Sequence, residues 1–115
     1  MIGQDKYFKW DYSEKSDILH IHRQNKKVEG SAELGDFTMD FDKNGNVIGV
    51  EINNVSEFLK QAGVSEEQLK GLKCAEIAVN KRDPKMTIVW IKLILPKNIE
   101  RRIPIPAPVM ATAAA

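Results

Sequence analysis

Residues 40–51 read DFDKNGNVIGVE, and they satisfy every position of the calcium-binding EF-hand loop. Asp40, Asp42, Asn44 and Glu51 stand at ligand positions one, three, five and twelve, Gly45 stands at the bend, and Val47 is the apolar residue at position eight. An EF-hand closes on its ion because helices on both sides bring the last glutamate back to it. These flanks carry the wrong period. Phe37, Met39 and Phe41 alternate with Thr38, Asp40 and Asp42, and Ile48, Val50 and Ile52 alternate with Val47, Gly49 and Glu51. A period of two is that of a strand.

Asn44-Gly45 is the sequence signal of a two-residue type I′ turn. That turn pairs Lys43 with Asn46 and Asp42 with Val47, and then Phe41 with Ile48, Met39 with Val50 and Phe37 with Ile52. One face of the hairpin is then wholly apolar, and burying its side chains is worth roughly 9 to 15 kcal/mol before entropy. Glu51 falls opposite Thr38, ~13 Å along the strand from Asp42 at a rise of ~3.3 Å per residue. Calcium ligands must converge to about 2.3–2.6 Å from one ion. The set Asp40, Asp42, Asn44 and Glu51 is therefore rejected as a metal site and taken as a hairpin.

Working outward, YFKWDY and ILHIHR form a second hairpin, with Tyr12 opposite Leu19, Trp10 opposite Ile21 and Asp11 opposite His20. The run SAELGDFTMDFD leads into the DFDKNGNVIGVE hairpin as one extended segment. After it, Val55, Phe58, Leu59 and Ala62 fall at helical spacing, with Asn54 as N-cap and Gly63 past the end. Ser65 and Gln68 form a capping-box pattern for a second short helix that Gly71 stops. The last third returns to strands: KCAEIAVNKR, a turn at DPK, MTIVWIKLIL, a turn at PKN, and IERRIPI. The middle strand is apolar on both faces from Ile88 to Ile91, which predicts a central strand covered on both sides. Pro104 and Pro106 put the last strand at an edge.

The expectation is an α+β fold, a mostly antiparallel β-meander of about six to seven short strands with one helical interlude over about 55–71. Residues 1–106 form a single domain, with 107–115 a fraying tail. The chain has 115 residues, 43% hydrophobic and 29% charged, with a net charge of +1. That balance offers no field for nucleic acid or an anionic membrane. Neither a basic leader nor an apolar run of about 20 residues is present, so the expected location is cytoplasmic. The single cysteine, Cys74, reads as a small core residue in a reducing compartment.

Two runs, YSEKSDILHI from Tyr12 and ELGDFTMDFDKNGNVIGVEINNVS over 33–56, resemble the small prokaryotic family catalogued as domain of unknown function 2283. Asp17, Leu19, Ile21, Asp40, Phe41, Asp42, Gly45, Val47, Gly49, Glu51, Ile52, Asn54 and Ser56 match its pattern, whereas Ser13 and His20 stand where it has aspartate and tyrosine. The resemblance covers about residues 12–59, leaving 60–106 as an extension. It implies a β-meander with a helix and no particular activity, and it suggests an antitoxin-like partner of an adjacently encoded protein.

His20 and His22 share one face of a strand at a spacing zinc uses, with Asp11 as a possible third ligand. No second Cys or His cluster accompanies them, so no metal or cofactor is expected. Asp40, Asp42 and Glu51 on an exposed face lack the asymmetry that acid–base chemistry needs. Lys81, Arg82, Arg101 and Arg102 would need exposed aromatics to bind nucleic acid, and both Trp10 and Trp90 read as core. The function expected is non-enzymatic: a protein–protein interaction module that self-associates as a dimer or pairs with a small protein, through a sheet edge or the strand Met86 to Leu95. Metal or ligand binding through His20 and His22 is the alternative.

Overall fold

The computed structural model of the chain describes residues 1–83 and 86–105 and, within them, side chains other than those of residues 81–87. The centre of the DPK turn and the tail at 107–115 lie outside the described residues. The elements are β1 (Ile2–Gln4), β2 (Phe8–Ser13), β3 (Ile18–Arg23), β4 (Gly30–Leu34), β5 (Phe37–Phe41), β6 (Val47–Asn53), α1 (Val55–Gln61), α2 (Glu66–Lys70), β7 (Cys74–Asp83), β8 (Met86–Leu95) and β9 (Ile99–Ile105). A 3-10 turn at Pro96–Asn98 joins the last two strands.

The described strands number nine, more than the six to seven expected, and they form two antiparallel sheets. The larger has the order β1-β2-β3-β6-β5-β4, and the smaller β7-β8-β9. The excess has two sources. Ile2–Gln4 adds an edge strand too short to show a period. SAELGDFTMDFD folds back on itself at Gly35-Asp36, so that Leu34 faces Phe37 and the run becomes two strands. The larger sheet is two three-stranded meanders joined where β3 meets β6, through Leu19 with Ile52 and Ile21 with Val50.

The β2–β3 register is the expected one: Tyr12 with Leu19, Asp11 with His20, Trp10 with Ile21. Phe37 with Ile52 and Met39 with Val50 are also as expected, but Phe41 pairs with Val47 and not with Ile48. The type I′ turn is corrected accordingly. Such a turn needs positive φ at both central residues, whereas only Gly45 (φ 80) has it and Asn44 does not. Gly45 N–H donates to the Asp42 carbonyl (3.0 Å) and Asp42 N–H to the Asn46 carbonyl (3.0 Å), giving a three-residue loop, Lys43-Asn44-Gly45. The Asp42 carboxylate explains the choice, because one oxygen accepts the N–H groups of both Asn44 and Asn46 at 2.9 Å. A bulge between Asp40 and Phe41 then restores the parity, with Ile48 as the extra residue, itself buried.

Phe8, Trp10, Tyr12, Leu19, Ile21, Met39, Val50 and Ile52 of the larger sheet share one buried cluster with Val55 and Leu59 of α1, Leu69 of α2, and Ala75, Val89, Ile91, Leu93, Ile103 and Ile105 of the smaller sheet. Residues past 59 thus complete the core that residues 12–59 begin. β8 is central, hydrogen-bonded to β7 and β9. Its two faces differ: Val89, Ile91, Leu93 and Leu95 are buried, while Ile88, Trp90, Lys92 and Ile94 are half-buried on the other side. Trp90 is therefore not a core residue, unlike Trp10, because its side of the sheet lacks a second layer among the described residues. β9 is an edge, as its proline requires.

Candidate functional site

No polar or charged residue is buried among the described residues. Several titratable side chains gather on the outer face of the larger sheet. The ladders align two rows across it: Asp11, His20, Glu51, Thr38, Glu33 and, beside it, Lys9, His22, Gly49, Asp40, Ser31. Both rows exist because β2, β3, β5 and β6 turn their large apolar side chains the other way.

Gly49 shapes the middle of this face. A Cβ there would stand 2.6 Å from Asp40 Oδ2, so the missing side chain lets the Asp40 carboxylate lean across β6. Asp40 reaches His20, Nε2 to Oδ2 3.7 Å, and its other oxygen accepts the Ser31 hydroxyl at 2.7 Å. Its side chain is 16% exposed, against 44% for His20. The His20 and His22 rings stand edge to face with centroids 6.0 Å apart. Asp11 is opposite His20 in the ladder, yet Asp40 is the carboxylate within 4.0 Å of a His20 ring nitrogen among the described residues. At 3.7 Å the two groups stand beyond hydrogen-bond distance and meet as an ion pair only when His20 carries a proton. Of the EF-hand positions, Asp42 is engaged by the turn amides, which hold its carboxyl below the usual range, chiefly through the Asn46 N–H. Glu51 lies in β6 between Thr38 and His20.

Other motif residues hold the fold together. Asn54 takes the N-cap position of α1 in a left-handed conformation (φ 54) and makes no side-chain capping bond. The expected cap is supplied instead by Asp17, in the β2–β3 turn, whose carboxylate accepts from the N–H of Ser56 (3.1 Å) and from its hydroxyl (2.7 Å). The Asp17 carbonyl takes the Val55 N–H, and Tyr12 donates its hydroxyl to Asp17 at 3.3 Å. Burial, then the Asp17 carboxylate, pushes the Tyr12 phenol up to about 12. Asn54 Nδ2 donates to Asp36 at 3.2 Å, tying the helix entry to the β4–β5 turn. The Ser65 and Gln68 capping box of α2 forms as expected.

A third group has no sequence signal, since its members are far apart in the chain. Asp5, Cys74 and Glu76 bring one donor atom each within 4.8 Å of one another. The donor set suits a divalent cation, but it is also satisfied internally. Cys74 Sγ donates to Asp5 Oδ2 (3.4 Å), the other Asp5 oxygen accepts the N–H groups of Tyr7 and Phe8 (2.8 Å each), and Lys92 Nζ stands 3.8 Å from Glu76. Burial, with the neighbouring carboxylates, pushes the Cys74 thiol up to about 12, so it is a poor nucleophile. On the smaller sheet, Glu76, Ala78, Val79, Asn80, Trp90, Lys92 and Arg102 line a shallow depression of about 610 Å³. Arg102 and Trp90 both line it, and Lys92 bridges Glu76 and Glu100. The side chains of Lys81 and Arg82 are outside the described residues.

Residues 9–56 match the family described as "Protein of unknown function (DUF2283)". They run from β2 to the first turn of α1 and so include the outer face, the turn at Gly45 and the Asp17–Ser56 tie. A curated protein of Methanocaldococcus jannaschii, described as uncharacterized, is 39% identical over 49 residues, covering 43% of this chain. The matched segment spans 42% of that relative's length. No solved structure matches the chain. No described helix is long and apolar enough to cross a membrane.

Proposed function

We propose that the protein is a non-enzymatic interaction module that recognises a protein partner by adding a strand at the free edge of β4. The edge itself carries this reading. Among the described residues, Gly30–Leu34 pairs with β5 alone and ends the six-stranded sheet. It has no proline, a single charge at Glu33, and an exposed Leu34. Edges are ordinarily blunted by proline, by clustered charge or by brevity. The other edges have such features: β1 is three residues long, β9 carries Pro104 with Glu100, Arg101 and Arg102, and β7 carries Glu76, Lys81, Arg82 and Asp83. β8 is paired on both sides, so it contributes to the core and not to an edge.

Backbone hydrogen bonds supply affinity in strand addition, and alternate side chains supply specificity. The test is amide hydrogen exchange of β4 in the concentrated protein and in complex with the product of an adjacent gene. The outward N–H groups of residues 30–34 are expected to slow in the complex. Free exchange of β4 in every complex the chain forms removes the reading.

A further inference from the structure

Resting on that reading, we infer that the partner strand is β4 of a second copy of this chain, antiparallel and centred on Ala32, so that two six-stranded sheets continue into one. The strand is self-complementary in one register. Gly30, Ala32 and Leu34 are on the core side, facing Phe41, Met39 and Phe37 of β5, whereas Ser31 and Glu33 are on the outer side, facing Asp40 and Thr38. A two-fold axis through the sheet keeps each copy's core side with the other's. Registers that set an odd-numbered residue against an even-numbered one are therefore excluded, since they oppose side chains of different faces.

Three registers remain near the middle of the strand. Centring on Glu33 places Glu33 against its own copy, and centring on Ser31 places Glu29 against Glu33 of the second copy. Like charges directly opposite are destabilising. Centring on Ala32 opposes Glu33 with Ser31 and Glu29 with Gly35, and no like charges meet. It also sets Leu34, 46% exposed, against Gly30, where none of the described residues stands within 4 Å of the place a Cβ would take. Each Leu34 gains a vacant position beside Phe41 on the core side of the other copy.

Single-cysteine variants read the register directly. In a Cys74→Ala background, Ser31→Cys, Ala32→Cys and Glu33→Cys each place a thiol on β4. Directly opposed residues of an antiparallel pair have Cα atoms about 4.5–5.5 Å apart, which a disulfide spans. Ala32→Cys is expected to give a covalent dimer on mild oxidation, at least tenfold faster than the other two. In the unmodified chain, sedimentation equilibrium is expected to show a dimer, which Leu34→Lys weakens at least tenfold without unfolding the protein. A monomer throughout the concentration range, or faster cross-linking at residue 31 or 33, overturns the inference. Protection of β4 by a different protein, with the chain alone monomeric, rejects the second copy but keeps strand addition. A dimer whose β4 amides exchange freely rejects both.

Discussion

Asp17 caps helix α1 from outside it, its carboxylate accepting both the N–H and the hydroxyl of Ser56, 39 residues away in the chain. The residue at the N-cap position, Asn54, turns its side chain to Asp36 instead. One turn between strands thereby fixes where the helix starts and how it sits on the sheet. Asp17→Ala is expected to destabilise the protein by about 1–2 kcal/mol in urea unfolding, the usual cost of losing a helix cap. Asp17→Asn should cost less, since Asn tolerates the positive φ (55) at this position and keeps one acceptor oxygen. A double-mutant cycle with Ser56→Ala should show coupling of about 0.5–3 kcal/mol, and additivity of the two changes would refute the bond between the Asp17 carboxylate and the Ser56 hydroxyl.

The turn at Asp42–Asn46 separates two hairpin geometries by substitution. Gly45→Ala is expected to cost about 1–2 kcal/mol, because φ is positive there. Asn44→Ala should fall within about 0.5 kcal/mol of the parent, because Asn44 does not need positive φ. A type I′ turn would make both changes costly. Thermal or urea unfolding of the two variants decides between them.

Gly49→Ala drives a Cβ into the Asp40 carboxylate and its Cβ, at 2.6 and 3.1 Å. A loss of about 1–3 kcal/mol is expected, as in other overpacked sites. The Asp40 carboxylate must leave His20 and Ser31 to make room. Adding Asp40→Ala should recover part of the loss in urea unfolding, and a double variant no more stable than Gly49→Ala would refute the clash.

The Cys74 thiol is pushed from its ordinary 9.0 to about 12 by burial, its hydrogen bond to Asp5 and the Glu76 charge. At pH 8 its reaction with a disulfide reagent is expected to be roughly a hundredfold or more slower than in urea-unfolded protein, since only the thiolate attacks. Tyr12 is likewise raised from 10.0 to about 12. Both groups hold their proton more tightly in the folded chain than in the unfolded one. Their contribution to stability is therefore intact below about pH 9 and is lost as the pH rises toward 12. Cys74→Ala should remove the lower part of that alkaline slope in urea midpoints measured from pH 8 to 12.

Much of this molecule is legible from alternation alone. Phe8, Trp10 and Tyr12, or Met39, Val50 and Ile52, declare their common side because side chains in a strand switch faces at every residue. The β2–β3 register and the outer positions of His20, His22, Asp40 and Glu51 follow from that local rule. The Ser65 and Gln68 capping box is equally local. Near Gly45 the alternation misleads by one residue, because an Asp42 carboxylate that binds two turn amides favours a longer loop and a bulge.

What the amino-acid order determined, then, is which side chains lie together on a face, since that depends on neighbours one to four residues away. Only the tertiary structure decided which faces and ends meet: β3 against β6, Asp17 on Ser56, Cys74 beside Asp5, and β4 left at the margin of its sheet. A carboxylate accepts from any N–H brought within reach, whatever the separation along the chain, and a strand shows no sign in its own residues of which strand will lie beside it. Those contacts are set by how the whole apolar surface closes, and closure is a property of the complete chain.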